Sequence, residues 1–320
     1  MGSASAATQR PAARQRVLYL GTRGRFSVPP LEALLAASVP VVAVLLAGPP
    51  NSSIHDLRAS FGRPALPLLA SPARDILTLA WERGIPALEV GQPRAAATLA
   101  RLRELRASVM TAACFPWRLP ATFRQLAPGG ALNVHPSLLP LGRGPDPLFW
   151  AFRHGLHETG VTVHLMDDQL DAGPILRQRR LPMRLGMTVD ELEATCATVG
   201  AELLLQTLDA LANGTAQQTP QDERESTYDR APAATDLEVP TNVSAQQAFA
   251  FVRGTVARYP LTVTHEGQPW PVVSADLYDM QAALDAPWRS GQHLIVPCRP
   301  GSLHLTIGPA AERRASPLAS

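Results

Sequence analysis

Residues 16–48 read RVLYLGTRGRFSVPPLEALLAASVPVVAVLLAG. The run RVLYLG (16–21) is short, continuously apolar and closed by Gly21, the pattern of a strand buried on both faces. After a polar loop, prolines stand at the start of VPPLEALLAAS (28–38), whose apolar residues recur at helical spacing. A second buried strand, VPVVAVLLAG (39–48), follows at once. Strand, helix and strand in succession predict a parallel sheet covered by helices.

The pattern recurs downstream. Helical spacing appears at 72–83, 94–106 and 117–127, with apolar strands near 86–90 and 107–113. ALNVH (131–135) reads as a strand, 147–155 as a helix, and 160–166 and 175–181 as strands. A long helix at 188–214 closes this part, with Gly214 as its C-cap. The expected fold class is α/β: over 16–214, a Rossmann-like, mostly parallel sheet with helices on both faces. Residues 1–15 read as a disordered lead and 215–243 as a polar, proline-containing linker. A helix at 244–259 and two β pairs around glycine-containing turns then predict a small C-terminal β-rich, barrel-like (OB-like) domain over 244–309, with a tail at 310–320.

Apolar residues make up 46% of the chain and charged residues 18%, enough for a sizeable core in a soluble globular protein. Every basic residue is Arg, so neither a lysine Schiff base nor a lysine general base exists here. Three cysteines without a C-x-x-C spacing argue against a disulfide framework and a zinc site. With no apolar leader and no run long enough to span a bilayer, the expectation is a cytoplasmic protein with no membrane partner.

The chemistry gathers around ALNVHPSLLPLGRG (131–144). Residues i and i+2 of a strand share a face, so Asn133 and His135 project together at a strand's carboxyl end. Ligands of open α/β sheets bind outside those ends. Taken alone, the pair is a weak signal, read more simply as side chains that satisfy loop backbone. Downstream, Asp171 stands in LDAG, where Gly173 permits a tight turn. A carboxylate within reach of the imidazole would hold it charged and oriented. Amide, imidazole and carboxylate are the parts needed to stabilise an oxyanion and move a proton in acyl transfer. No G-x-S-x-G elbow is present, so a covalent acyl-enzyme is not suggested.

NVHPSLLPLGRG (133–144), TGVT (159–162) and LDAG (170–173), in this order, resemble the signature blocks of the folate-dependent formyltransferases. The nearest branches are the methionyl-tRNA and sugar N-formyltransferases. LGTRGRFSVPPLEALL (20–35) and HLIVPCRPGSLHLTI (293–307) are similar to the family's first strand–loop–helix and closing strands. The resemblance implies a catalytic trio of Asn133, His135 and Asp171, and 10-formyltetrahydrofolate as formyl donor, with no metal. It implies that Asn133 and protonated His135 stabilise a tetrahedral oxyanion, while Asp171 sets the charge of His135 and assists proton removal. Ser137, Leu138, Leu139 and Arg143 would belong to the loop that shapes the site, in ligand contact or simply turning and packing the chain.

Three departures bear on the ligands. The first loop reads TRGRF, one residue longer than usual. ACFPWRLP (113–120) has Phe115 and Pro116 where a Tyr-Gly pair is common, and Phe115 could pack on the donor's aromatic ring. Pro145 and Asp146 replace two small residues; Asp146 reads either as a carboxylate for a cationic acceptor group or as the N-cap of the helix at 147–155. Residues 215–309 carry six Arg against ten Asp plus Glu, a net of −4, where a tRNA partner needs basic surface. The expected acceptor is therefore a small-molecule amine, such as an amino sugar or amino acid-like metabolite. Methionyl-tRNA is the second reading, and hydrolysis of the donor, with water as acceptor, is a third.

Overall fold

The computed structural model describes residues 15–58 and 74–309, arranged in two compact units. The lead at 1–15 (Gln15 apart) and the tail at 310–320 lie outside the described residues. Of the described residues, the first unit comprises those up to 143, together with 160–179 and 194–226. The second comprises 144–159, 180–193 and 227–309.

The sheet of the first unit is built on β1 (Val17–Gly21), β2 (Val41–Ala47), β3 (His55–Asp56), β4 (Ala87–Val90), β5 (Val109–Ala113), β6 (Ala131–His135), β7 (Glu158–Leu165) and β8 (Ile175–Pro182). Their spatial order is β3-β4-β2-β1-β5-β6-β7-β8. The pairs β1–β2, β1–β5, β2–β4 and β5–β6 are parallel, as the strand–helix alternation predicts. The short β3 joins β4 antiparallel, and β6 meets β7 antiparallel. The chain moves outward from β1 to β4 and then returns to β5 on the other side of β1. That reversal opens a crevice at the carboxyl ends of β1 and β5, where side chains can surround a ligand.

Every residue of β1 and β5 is buried, because both faces lie under helices. Leu18, Leu20, Leu45 and Leu88 form the core on one side, and each fully buried leucine contributes about 1.5–3 kcal/mol relative to exposure. The helices are α1 (Val28–Ala36), α2 (Ile76–Glu82), α3 (Ala96–Glu104), α4 (Ala121–Arg124), α5 (Pro147–Arg153), α6 (Val189–Ala212) and α7 (Ala245–Thr255). Several are shorter than their periodicity suggests. The stretch 117–127, for example, is helical only at Ala121–Arg124, because Pro120 starts it and a turn ends it at Gln125. Gly214 lies beyond α6 in the left-handed region, φ 66°, which ends the helix as expected.

The loop after β1 is stitched down from within. Ser27 Oγ donates to the Ala113 carbonyl at 2.7 Å and accepts from Thr22 N–H, while Tyr19 donates its hydroxyl proton to the Ser27 carbonyl. Arg23 reaches Asp75 at 2.5 Å, and Asp75 also caps α2 by accepting from the N–H groups of Leu77 and Thr78. The Asp75 carboxyl is pushed up by burial, yet these donors outweigh that and hold it below its ordinary value.

In the second unit, β9 (Thr262–His265), β10 (Gln268–Asp279), β11 (Trp288–Ser290), β12 (His293–Pro297) and β13 (Ser302–Ile307) form an antiparallel sheet ordered β11-β12-β13-β10-β9. Glu266 and Gly267, φ 51° and 71°, make the two-residue turn between β9 and β10. The Phe149 ring of α5 packs on Phe251 and Tyr259. The stretch 215–243, read as a linker, is ordered in both halves: Thr219 bridges Ile175 in the first unit, and the Arg230 carbonyl accepts from Trp150 Nε1 in the second.

Candidate active site

Asn133 and His135 stand at the end of β6, and antiparallel pairing sets Asn133 opposite His164 and His135 opposite Thr162 on β7. The turn after β7 returns Asp171 to the same place. Its backbone is left-handed, φ 54°, and its side chain is buried. Gly173 is required two residues later, since a Cβ there would lie 1.9 Å from the Leu165 carbonyl oxygen. Strand pleat and turn thus bring together the three residues that the sequence separates by 38 positions.

The hydrogen bonds fix how each group is presented. His135 Nε2 lies 2.9 Å from the Gly142 carbonyl oxygen. A carbonyl only accepts, so Nε2 carries the proton and Nδ1 is the nitrogen left for chemistry. Nδ1 faces Asp171 Oδ2 at 3.8 Å, an ion-pair separation too long for a direct hydrogen bond. Asn133 Nδ2 stands 3.3 Å from Asp171 Oδ1 and 3.3 Å from His164 Nε2. The buried His164 donates Nδ1–H to the Leu165 carbonyl at 2.8 Å, which leaves Nε2 facing Asn133 Nδ2. Asp171 therefore lies among two imidazoles and an amide. Both Asn133 N–H groups are turned toward Asp171 and His164, and its carbonyl oxygen is the half of the amide that does not meet them.

His164 and Gly142 are members of this arrangement that strand periodicity alone does not assign. His164 becomes legible only once β7 is known to pair antiparallel with β6. Gln221, in the stretch read as linker, carries no sequence signal and yet touches the Asp171 backbone.

The surrounding loop is held by its own polar atoms. Thr162 Oγ1 donates to the Ser137 carbonyl and accepts from Leu139 N–H, and Gln178 donates to the Leu139 carbonyl. Ser137 Oγ donates to the Leu141 carbonyl. Leu138 packs over Gly160, where a Cβ would lie 2.4 Å from its Cδ2. The buried Arg143 directs its guanidinium to Gln221 and Glu223, and holds the Glu223 carboxyl below the usual range. Phe115 is half-buried, edge-on to Trp117 at 5.6 Å, an apolar wall beyond the end of β5.

Asp146 belongs to the second unit, where both of its oxygens are engaged: Oδ1 caps α5 at Phe149 N–H and Oδ2 accepts from the Tyr259 hydroxyl at 2.7 Å. Burial pushes its carboxyl above the ordinary value although both donors favour the charged form. Of the two readings of Asp146, the structure supplies the cap.

Among the described residues, no group of three or more His, Cys, Asp or Glu is placed to share a metal ion. No described helix is long and apolar enough to cross a membrane.

Comparison with known proteins bears on this geometry. Residues 68–208 match the family described as formyl transferase. The methionyl-tRNA formyltransferase of Roseiflexus sp. is 37% identical over 214 residues, 67% of this chain and 62% of that one, so the chain spans less than two thirds of that relative. The methionyl-tRNA formyltransferase of Anaeromyxobacter dehalogenans is 33% identical over 306 residues, 93% of each chain. Among solved structures, the N-formyltransferase of Helicobacter canadensis, in complex with folinic acid and dTDP-3-aminofucose, shares the fold with a TM-score of 0.65 at 16% identity, covering 91% of this chain and 98% of that one. The chain belongs to the folate-dependent formyltransferase family.

Proposed function

We propose that this member of the formyltransferase family moves a formyl group from 10-formyltetrahydrofolate to the amine of a small molecule, with Asn133, His135 and Asp171 as its catalytic residues. The observation that carries the reading is the buried Asp171 among Asn133, His135 and His164. When bound, the folate supplies the formyl carbon. His135, with Nε2 committed to Gly142, directs Nδ1–H at the formyl oxygen as negative charge develops there. Asp171 would take the proton that the attacking amine loses and pass it to the folate nitrogen as the bond from that nitrogen to the formyl carbon breaks. Asn133 has its N–H groups turned inward, so its carbonyl oxygen accepts from an N–H of the acceptor and aims the nitrogen lone pair. This reverses the part expected for Asn133, which was to donate to the oxyanion. Phe115 and Trp117 offer an apolar surface for the donor's ring.

Charge supports the small acceptor. Residues 215–309 have a net charge of −4, six Arg against ten acids, and three of those Arg, Arg224, Arg230 and Arg258, are already paired with carboxylates. A polyanion gains little from such a segment. Methionyl-tRNA is the second reading, favoured by a match that runs through 93% of a methionyl-tRNA formyltransferase. Incubation with 10-formyltetrahydrofolate and either amino sugars and amino acids or methionyl-tRNA tests the choice. Formylation of a small amine, without salt-sensitive tRNA binding, is expected. Formylation of methionyl-tRNA alone would transfer the assignment to it, and steady release of formate without any amine would identify a hydrolase.

A further inference from the structure

Gln221 sits in a strap of chain, 215–226, that belongs to the first unit and is pinned by the mutual backbone hydrogen bonds of Thr219 and Ile175, both 2.8 Å. Its amide works in two directions. Nε2 donates to the carbonyls of Asp171 and Gly173, each at 2.8 Å. Oε1 accepts from Arg143 Nε at 3.1 Å and from Nη2 at 2.9 Å. Arg143 follows directly on Gly142, whose carbonyl receives His135 Nε2. One side chain thus joins the turn that orients the imidazole to the turn that carries the carboxylate.

The turn at Asp171 has a physical need for such a tether. A non-glycine residue in the left-handed region is strained, and the conformation persists only where surrounding contacts over-determine it. Gly173, pressed on the Leu165 carbonyl, fixes one end, and Gln221 fixes the carbonyls on either side of Ala172. The partner is itself immobilised, since the buried guanidinium of Arg143 is clamped by Glu223 Oε1 and Oε2 at 2.8 and 2.9 Å. A buried guanidinium with all three of its nitrogens hydrogen-bonded is a rigid anchor.

We infer that Gln221 is a positioning residue, holding Asp171 in register with Asn133 and His135 through the Asp171 and Gly173 carbonyls and the Arg143 fork. The catalytic part of this inference rests on the proposed function; the geometric part does not.

Two variants of the full chain test it. Gln221→Met keeps the length and loses every hydrogen bond. Gln221→Glu keeps oxygens for Arg143 but has no N–H for the two carbonyls, and it carries the test if the methionine variant does not fold. The first readout is the side-chain amide signal of Asn133 in a nitrogen–proton NMR spectrum, assigned by its loss in Asn133→Asp. Both Gln221 variants should move that signal, because Asp171 leaves its place beside Nδ2. The second readout is turnover with 10-formyltetrahydrofolate and the amine that the wild-type chain formylates. A displacement on the ångström scale should lower kcat about 100-fold, with both KM values within about threefold. An unmoved Asn133 signal with unchanged kcat in folded variants would overturn the inference, as would a loss confined to thermal stability. If the wild-type chain formylates nothing, the proposed function fails, while the Asn133 signal still reports whether Gln221 sets the geometry.

Discussion

Asp171 and Asp146 are both carboxylates withdrawn from water, and they do different things. Asp171 rests in a left-handed turn among Asn133, His135 and His164, groups that can pass or orient a proton. Asp146 meets a backbone N–H and a tyrosine hydroxyl, which fix a helix end and move no proton near neutral pH. Burial raises the Asp146 carboxyl without making it a proton carrier. What turns burial into chemistry is the set of neighbours. Asp171 faces polar groups on other elements across separations of 3.3–3.8 Å, loose enough to be remade around a ligand. Asp146 faces a hydroxyl at 2.7 Å and is finished.

The contrast can be broken at several points. The largest effect is expected at the imidazole: His135→Ala should lower kcat by about 10²–10⁴-fold, measured in steady-state formylation, with little change in the unfolding midpoint. Next is His164→Ala. It leaves an Asn133 N–H without its acceptor, a loss of about 1–2 kcal/mol, which reads as about a tenfold fall in kcat; His164→Gln, which can still accept, should recover part of it.

Asp146→Ala should act in the opposite way. Removing the cap of α5 and the acceptor of Tyr259 costs about 2 kcal/mol, seen as a lower urea midpoint, with kcat within about twofold of wild type. The smallest effect concerns pH. Asp146 is raised in the folded chain, so it keeps its proton to a higher pH than when unfolded. Stability from this group is present below the unfolded carboxylate value near pH 4 and declines as pH rises through the folded value. Asp146→Asn should flatten that decline in urea midpoints measured across the acid range.

Much of this molecule is legible in its sequence. The apolar runs at β1, β2 and β5 announce a sheet buried on both faces, and the i, i+2 spacing of Asn133 and His135 places both on one face of β6. What sequence does not carry is long-range pairing. The antiparallel meeting of β6 and β7, which sets His164 against Asn133, depends on which edge of the sheet the chain returns to. The two-residue strand β3 is too short to leave a period. Gln221 lies in polar, proline-containing chain that has no periodicity at all, and only the fold reveals that this stretch returns to Asp171. The same holds for Asp146, where an N-cap and a ligand carboxylate look alike in one dimension.

The account is tested most directly by assaying Asp171→Asn and Asp146→Asn side by side for formyl transfer from 10-formyltetrahydrofolate. It predicts a loss of about 10²–10⁴-fold in kcat for Asp171→Asn and a change within about twofold for Asp146→Asn, both folded. Wild-type turnover by Asp171→Asn, or equal losses in the two variants, would contradict it.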